Sequence, residues 1–328
     1  MSCGRADMKT KLLICSGALL CIAAADAVKD KAEMPRAKLT VKVLDEQGAP
    51  LPGALVTLTF MDPATRNGVP VEGPTNAEGS YSGEGQTDGA MGGMVNKEGH
   101  YRGGFSFKGF TGLENGRWEP WDATYTTNLR PILNPVPFYA KMGWAEIPLI
   151  GKPCGYDLQK GDWVSPYGKG LTSDLVFMLQ RRYISRQDFD VNVSVSFSNK
   201  LDGIQDAQMP EIGRYSAFKW PRLAPENGYL PTLNSHFGSD PKAGFKQSAS
   251  EEQMYLIRVR TIEQDGHIVS ALYGKIKGGL QLAPSNSKTC KVELNYYLNP
   301  TALDRNMECD PKRNLLSGLS WEESPREP

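Results

Sequence analysis

Phe189, Val191, Val193, Val195 and Phe197 alternate without a break with Asp190, Asn192, Ser194 and Ser196. A period of two puts every apolar side chain of this run on one face of a strand and every polar one on the other. The apolar face needs a second layer to cover it. Burying its five side chains is worth on the order of 7–15 kcal/mol before entropy. The same period recurs along the chain. Leu39, Val41 and Val43 oppose Thr40, Lys42 and Leu44, and Val56, Leu58 and Phe60 form the next buried face. Ala123, Tyr125, Thr127 and Leu129 follow, then Tyr255, Ile257 and Val259, and lastly Val292, Leu294, Tyr296 and Leu298. No segment sustains a helical period, so the expected fold class is all-β.

Turn chemistry falls between these runs. Gly48, Pro50, Pro52 and Gly53 cannot continue a ladder and must turn the chain. Gly73 to Ser80 ahead of Tyr81, and Lys97-Glu98-Gly99-His100-Tyr101, read as further turns. Asp265-Gly266 suits a type I′ hairpin that returns the chain through Ile268, Leu272 and Ile276. Leu201 to Ser250 is long and punctuated by Pro210, Pro221, Pro225, Pro231 and Pro241. Because it carries Tyr215, Phe218, Trp220 and Tyr229, it is expected to be an ordered excursion over the sheets.

Residues 39–60, then the Gly73–Tyr81 turn, then Lys97–Tyr101 carry a resemblance. The pattern V-x-V-x-D-x-x-G-x-P-L-P-G-A-x-V-x-L, followed by G-x-T-N-x-x-G-x-Y and K-E-G-H-Y, resembles the carboxypeptidase regulatory-like domain over about residues 37–132. That resemblance implies a small transthyretin-like β-sandwich and no particular reaction, since the module is appended to peptidases, receptors and surface proteins alike. Its turn can be Thr75 to Gly79 or the segment from Thr87-Asp88 to Gly92, so the Gly-rich stretch 83–93 is either an insertion or the turn itself. The whole chain is then expected to be a transthyretin-like or Ig-like β-sandwich followed by a larger antiparallel β-rich domain. The expected divisions are a signal peptide over 1–27, a linker over 28–36, the sandwich over 37–136, the second domain over 137–314, and a loose tail over 315–328.

The leader rests on Lys9 and Lys11, the apolar run Leu12 to Ala25, and the small residues Ala25-Asp26-Ala27 at the expected cut. It implies bacterial export to the periplasm or beyond. No later segment is apolar for 18 residues, so no transmembrane segment is expected in the mature chain. The full chain balances 37 basic against 37 acidic residues. Without the leader's Arg5, Lys9, Lys11, Asp7 and Asp26 it stands near −1. No basic field exists for nucleic acid. Beyond the leader's cysteines, Cys154, Cys290 and Cys309 are an odd set, in which a Cys290–Cys309 bridge is one option.

The densest cluster of chemistry-bearing residues runs from Gly155 to Asp174. Tyr156, Asp157, Asp162, Trp163, Tyr167 and Asp174 are the candidate ligand-binding residues, because rings stack on the apolar face of a sugar while carboxylates accept its hydroxyls. The plainer reading is a Gly-rich loop whose rings anchor it to the core. Trp118, Trp121 and Tyr125 form a second aromatic group, with two readings: a stack for a glycan at a sandwich edge, or, as the leading one, Trp118 and Trp121 filling the seam between the two domains. Asn199, Asp202 and Asp206 are too few and wrongly spaced for a calcium loop. His100, His236 and His267 are scattered, and no His-Glu-x-x-His or Gly-x-Ser-x-Gly appears. No cofactor, metal site or catalytic residue is assigned. The leading expectation is a secreted, non-enzymatic binding or structural protein, with a glycan, a cell-envelope ligand or another exported protein as partner. The alternative is a secreted glycoside hydrolase using carboxylates near 157–174.

Overall fold

A computed structural model describes residues 34–210, 215–284 and 289–328. The leader expected over 1–27 lies outside them. Residues 34–328 form one compact unit; its described residues are nearly all β, with a 3-10 turn at Pro311–Arg313.

The first alternating run forms the strand Arg36–Leu44, and the next forms Leu55–Met61. They lie in different sheets. Arg36–Leu44 pairs antiparallel with Ser80–Gln86 and parallel with Ala123–Asn128. Leu55–Met61 sits between Gly68–Pro74 and Met91–Asn96, and Gly103–Phe107 extends that sheet. Leu39, Val41, Val43, Val56 and Leu58 have no exposed surface, so the two sheets close on the core that their period dictates. Both candidate turns exist. Thr75–Gly79 carries the chain from the second sheet to the first, and the 87–90 bend carries it back. The glycines between them are therefore strand residues, not an insertion. Phe60 explains one of them: a Cβ on Gly85 would lie 2.5 Å from its ring.

The remainder stacks in layers. Six strands form an outer sheet in the order Asp162–Trp163, Pro153–Asp157, Leu175–Ser185, Asp188–Ser196, Thr232–Asp240, Gly244–Gln247. Five form a central sheet in the order Tyr139–Lys141, Asn295–Leu298, His267–Lys277, Met254–Gln264, Gly203–Asp206. Phe177, Leu179, Val191, Val193 and Val195 of the outer sheet meet Tyr255, Ile257, Leu272, Ile276 and Tyr296 of the central one. Asp265 and Gly266 both have positive φ, 50° and 78°, in the two-residue turn that closes Gln264 on His267. The last alternating run divides. Lys291–Glu293 joins a small sheet with Trp144–Glu146 and Leu282–Ala283, whereas Asn295–Leu298 joins the central sheet.

The opposite face of the central sheet carries Leu256, Ala271, Tyr273, Lys275 and Tyr297. Phe138, Phe218, Trp220, Met307, Cys309 and, from the front sandwich, Tyr101 cover it. Of the described part of the long 201–250 piece, Gly203–Asp206 is an edge strand of the central sheet, Phe218, Trp220 and Ala224 belong to this cover, and Thr232–Asp240 and Gly244–Gln247 are strands of the outer sheet. Charges tie this layer to the sandwich. Glu46 pairs with Arg130 at 2.8 Å and Arg222 at 2.7 Å, while Arg130 donates to the Phe218 and Trp220 carbonyls at 3.0 and 2.6 Å. The Tyr101 hydroxyl donates to Glu308 at 2.8 Å.

Three expectations change. Trp118 does not fill this seam; it packs on Phe110 beside the front core, and its indole donates to the Thr87 carbonyl at 2.9 Å. The 315–328 segment is not loose, because Glu323 pairs with Lys141 at 3.1 Å, Glu327 pairs with Lys277 at 2.9 Å, and the Met142 amide donates to the Glu323 carbonyl. Cys154, Cys290 and Cys309 are all free and buried, so Cys290 and Cys309 form no bridge. Burial pushes each thiol up to about 11.

Candidate functional site

The residues singled out between 156 and 174 separate into three groups. Asp157 and Asp174 turn inward. Asp157 accepts the amides of Gln159 and Lys160 on one oxygen and those of Leu171 and Thr172 on the other, at 2.9–3.1 Å. Asp174 accepts the Leu158 amide at 2.9 Å. One guanidinium closes the set: Arg260 donates to Asp174 at 2.7 and 2.8 Å, to Asp157 at 3.0 Å and to Gln159 at 2.5 Å. Burial opposes charge on Asp157, but the three amides of Leu171, Thr172 and Gln159 and the Arg260 charge outweigh it and hold the carboxyl below its ordinary value. Burial prevails at Asp174 and raises it, against Arg260 and the Leu158 amide. Both carboxylates are engaged by partners within the chain. They fasten the 157–174 loop to Arg260 of the central sheet.

Arg260 stands at a bulge in Met254–Gln264 with φ 56°. That left-handed turn aims the amides of Arg260 and Thr261 at the two oxygens of Asp202, each at 2.9 Å. Asp202 is therefore part of the same structural network. Among the described residues no group of His, Cys, Asp and Glu is arranged to hold a metal ion.

Tyr156, Asp162 and Trp163 form the second group, which lines a cleft of about 180 Å³. The Tyr156 and Trp163 rings meet edge to face at 5.1 Å, and Trp163 continues onto Phe177 at 5.3 Å. Both rings are almost wholly buried in the core cluster, and both residues also line the cleft. The Tyr156 hydroxyl makes no hydrogen bond within the described residues. Burial, then the Asp162 and Glu323 charges, keep it protonated. Asp162 accepts the Trp163 and Lys169 amides, one per oxygen, both at 2.8 Å, which leaves acceptor capacity on each.

The cleft's other walls come from distant sequence. Trp144 is 50 % exposed. Lys141 donates to the Gly161 carbonyl at 2.9 Å and pairs with Glu323. The Ser320 amide and Lys141 hold the Glu323 carboxyl below its ordinary value. The cleft thus offers one aromatic face, one free hydroxyl, two carboxylates and an ammonium. Nothing in the local sequence of Trp144, Lys141 or Glu323 marks them. They converge because Tyr139–Lys141 pairs with Asn295–Leu298 and the tail folds back over it.

Tyr167 is the third group. It is 48 % exposed and lies outside the cleft. Histidine chemistry is equally sparse. His236 Nε2 contacts Asp190 at 2.8 Å, but the nearby Ser248 hydroxyl meets the His236 main chain and not its ring, so no nucleophile is activated.

No family model matches the chain, and no curated protein matches it. Solved structures similar to parts of it include 3-chlorocatechol 1,2-dioxygenase from Rhodococcus opacus, with TM-score 0.26, 11 % identity, and coverage of 32 % of this chain and 63 % of that one. The chain thus spans under two thirds of the dioxygenase. The major pilin subunit BcpA of Bacillus cereus aligns with TM-score 0.22 and 8 % identity over 79 % of this chain and 95 % of that one. A Bacteroides uniformis protein provisionally described as carbohydrate binding aligns with TM-score 0.18 and 10 % identity over 82 % of this chain and 99 % of that one. At these TM-scores no activity transfers to this chain.

Proposed function

We propose that this chain is an exported, non-enzymatic binding protein that holds a glycan or cell-envelope saccharide in the Trp144 cleft. The observation that carries the reading is the exposed Trp144 ring beside an unpartnered Tyr156 hydroxyl and the acceptors Asp162 and Glu323. A sugar ring presents an apolar face for the indole and hydroxyls for the polar groups. The signal-peptide pattern and the carboxypeptidase regulatory-like pattern of 37–132 support the same reading. Such modules accompany exported proteins, and the two-sheet front sandwich is the architecture that the pattern implies.

The hydrolase alternative has less support. Of Asp157, Asp162 and Asp174, only Asp162 faces the cleft. A general acid needs a carboxyl held above its ordinary value, whereas Glu323 is held below it. An assembly role draws on the outer-sheet edge Gly244–Gln247, all of whose residues are exposed. Concentration-dependent self-association in light scattering would favour it.

The test is a glycan and peptidoglycan-fragment panel probed with the full chain and with Trp144→Ala. Stacking on one ring is worth about 1–1.5 kcal/mol, so the variant should lose roughly tenfold in affinity. A panel with no binder, or a variant that binds equally well, would remove the reading.

A further inference from the structure

The outer sheet has a second face, turned away from the core. Strand register sets its side chains in rows. Met178, Ser194 and Asn234 stand abreast, and Gln180, Asn192 and His236 stand abreast in the next row. Neighbours within a row are about 5 Å apart and the rows about 7 Å apart. Together they floor a depression of about 340 Å³.

Its chemistry differs from that of the front sandwich's open face. There Arg36 and Lys38 on the outward side of Arg36–Leu44 are paired with Glu84 and Asp122. Here the floor is amide, hydroxyl and thioether with one imidazole, His236. Gln180, Ser194 and Asn234 make no side-chain hydrogen bond within the described residues. Asn192 donates to Asp190 at 2.8 Å and keeps its carbonyl oxygen free. Asp190 in turn contacts the His236 ring at 2.8 Å, so the one carboxylate beside the floor is already engaged. The cations lie a row beyond. Arg182 pairs with Asp188 at 2.6 Å, and Lys246 stands opposite Gly238 on the edge strand.

A primary amide presents a donor and an acceptor side by side, which matches a ligand whose every group is a hydroxyl that both donates and accepts. The amides stand on three adjacent strands, Gln180 and Asn234 unpaired and Asn192 with its carbonyl oxygen free, so the matching ligand is a chain and not a single ring. Met178 supplies an apolar contact in their midst. An anionic polymer meets no free cation in the two rows. We infer that this face is a binding groove for an extended, uncharged polysaccharide. The site goes beyond the cleft reading and shares no residue with it, so either can fail alone.

Native electrophoresis of the full chain through gels containing dextran, xylan, galactomannan or alginate tests the groove. The expected result is retardation by at least one neutral polymer and none by alginate. The double variant Gln180→Ala/Asn234→Ala should weaken that retardation at least tenfold. Both positions are exposed, so its urea midpoint should match that of the parent, and Trp144→Ala should be retarded like the parent. No retardation by any neutral polymer, equal retardation of the double variant, or retardation by alginate alone would overturn the inference. Loss in Trp144→Ala with the double variant unaffected would also overturn it, by assigning the polymer to the cleft.

Discussion

Lys275 lies on the central sheet with no exposed surface and makes one hydrogen bond, to the Met307 carbonyl at 2.6 Å. Four rings surround its Nζ: Tyr297 at 4.9 Å, Trp220 at 5.0 Å, Phe218 at 5.4 Å and Phe138 at 5.8 Å. Burial pushes the amine down to about 7, against the pull of Cys309 and Glu308 and with the help of Lys277 and Arg130. An unfolded lysine titrates near 10.5. Between those values the unfolded chain holds a proton that the folded chain lacks, so folding weakens as pH falls from 10.5 to 7 and then levels off. At about 1.4 kcal/mol per pH unit, the amine costs about 5 kcal/mol at pH 7. Lys275→Met fills nearly the same volume and removes that cost, but it strands the Met307 carbonyl for about 1–3 kcal/mol. The variant should therefore be more stable than the parent by about 2–4 kcal/mol at pH 7, and less stable by about 1–3 kcal/mol at pH 10.5. Urea unfolding at the two pH values, followed by tryptophan fluorescence, reads the difference. A variant destabilised at pH 7, or a difference that ignores pH, would refute the reasoning. It would mean that the rings hold a cation as a keystone.

Other consequences are simpler. Arg260→Met leaves Asp157 and Asp174 buried without their partner and should cost about 3–5 kcal/mol in urea unfolding; an unchanged midpoint would contradict the network's role. Gly85→Val drives a side chain into Phe60 and should cost about 1–3 kcal/mol or more, while Gly112→Ala, with open space around it, should stay within about 0.5 kcal/mol. Cys154, Cys290 and Cys309 should resist a thiol reagent in the folded protein and all react once it unfolds; a reactive native thiol would contradict their burial.

The sheets were legible where one strand face meets core and the other meets solvent. In that setting composition and burial carry the same period, as at Leu39–Val43 and Phe189–Val195. The pattern over Val292–Leu298 was legible as burial but not as one strand. Leu294 sits between two sheets, and residues on both faces are covered. The candidate site was harder. Rings and carboxylates around glycines look alike whether they face a ligand or a core, and Tyr156, Trp163, Asp157 and Asp174 are all buried. What distinguishes them is Arg260, about ninety residues away and placed by a bulge that no period announces. Trp144 and Glu323 reach the cleft only through long-range pairing of short strands and the returning tail.

The proposed cleft is tested most directly by nitrogen-15 spectra of the indole groups. The chain has six tryptophans, and their N–H signals can be assigned by single substitution to Phe. Titration with the tightest-binding glycan of the panel should shift the Trp144 signal, with a smaller change at Trp163 on the cleft floor, and leave Trp118 and Trp220 in place. A saturating titration that moves Trp118 or Trp121 and leaves Trp144 untouched would place the ligand elsewhere and contradict the account.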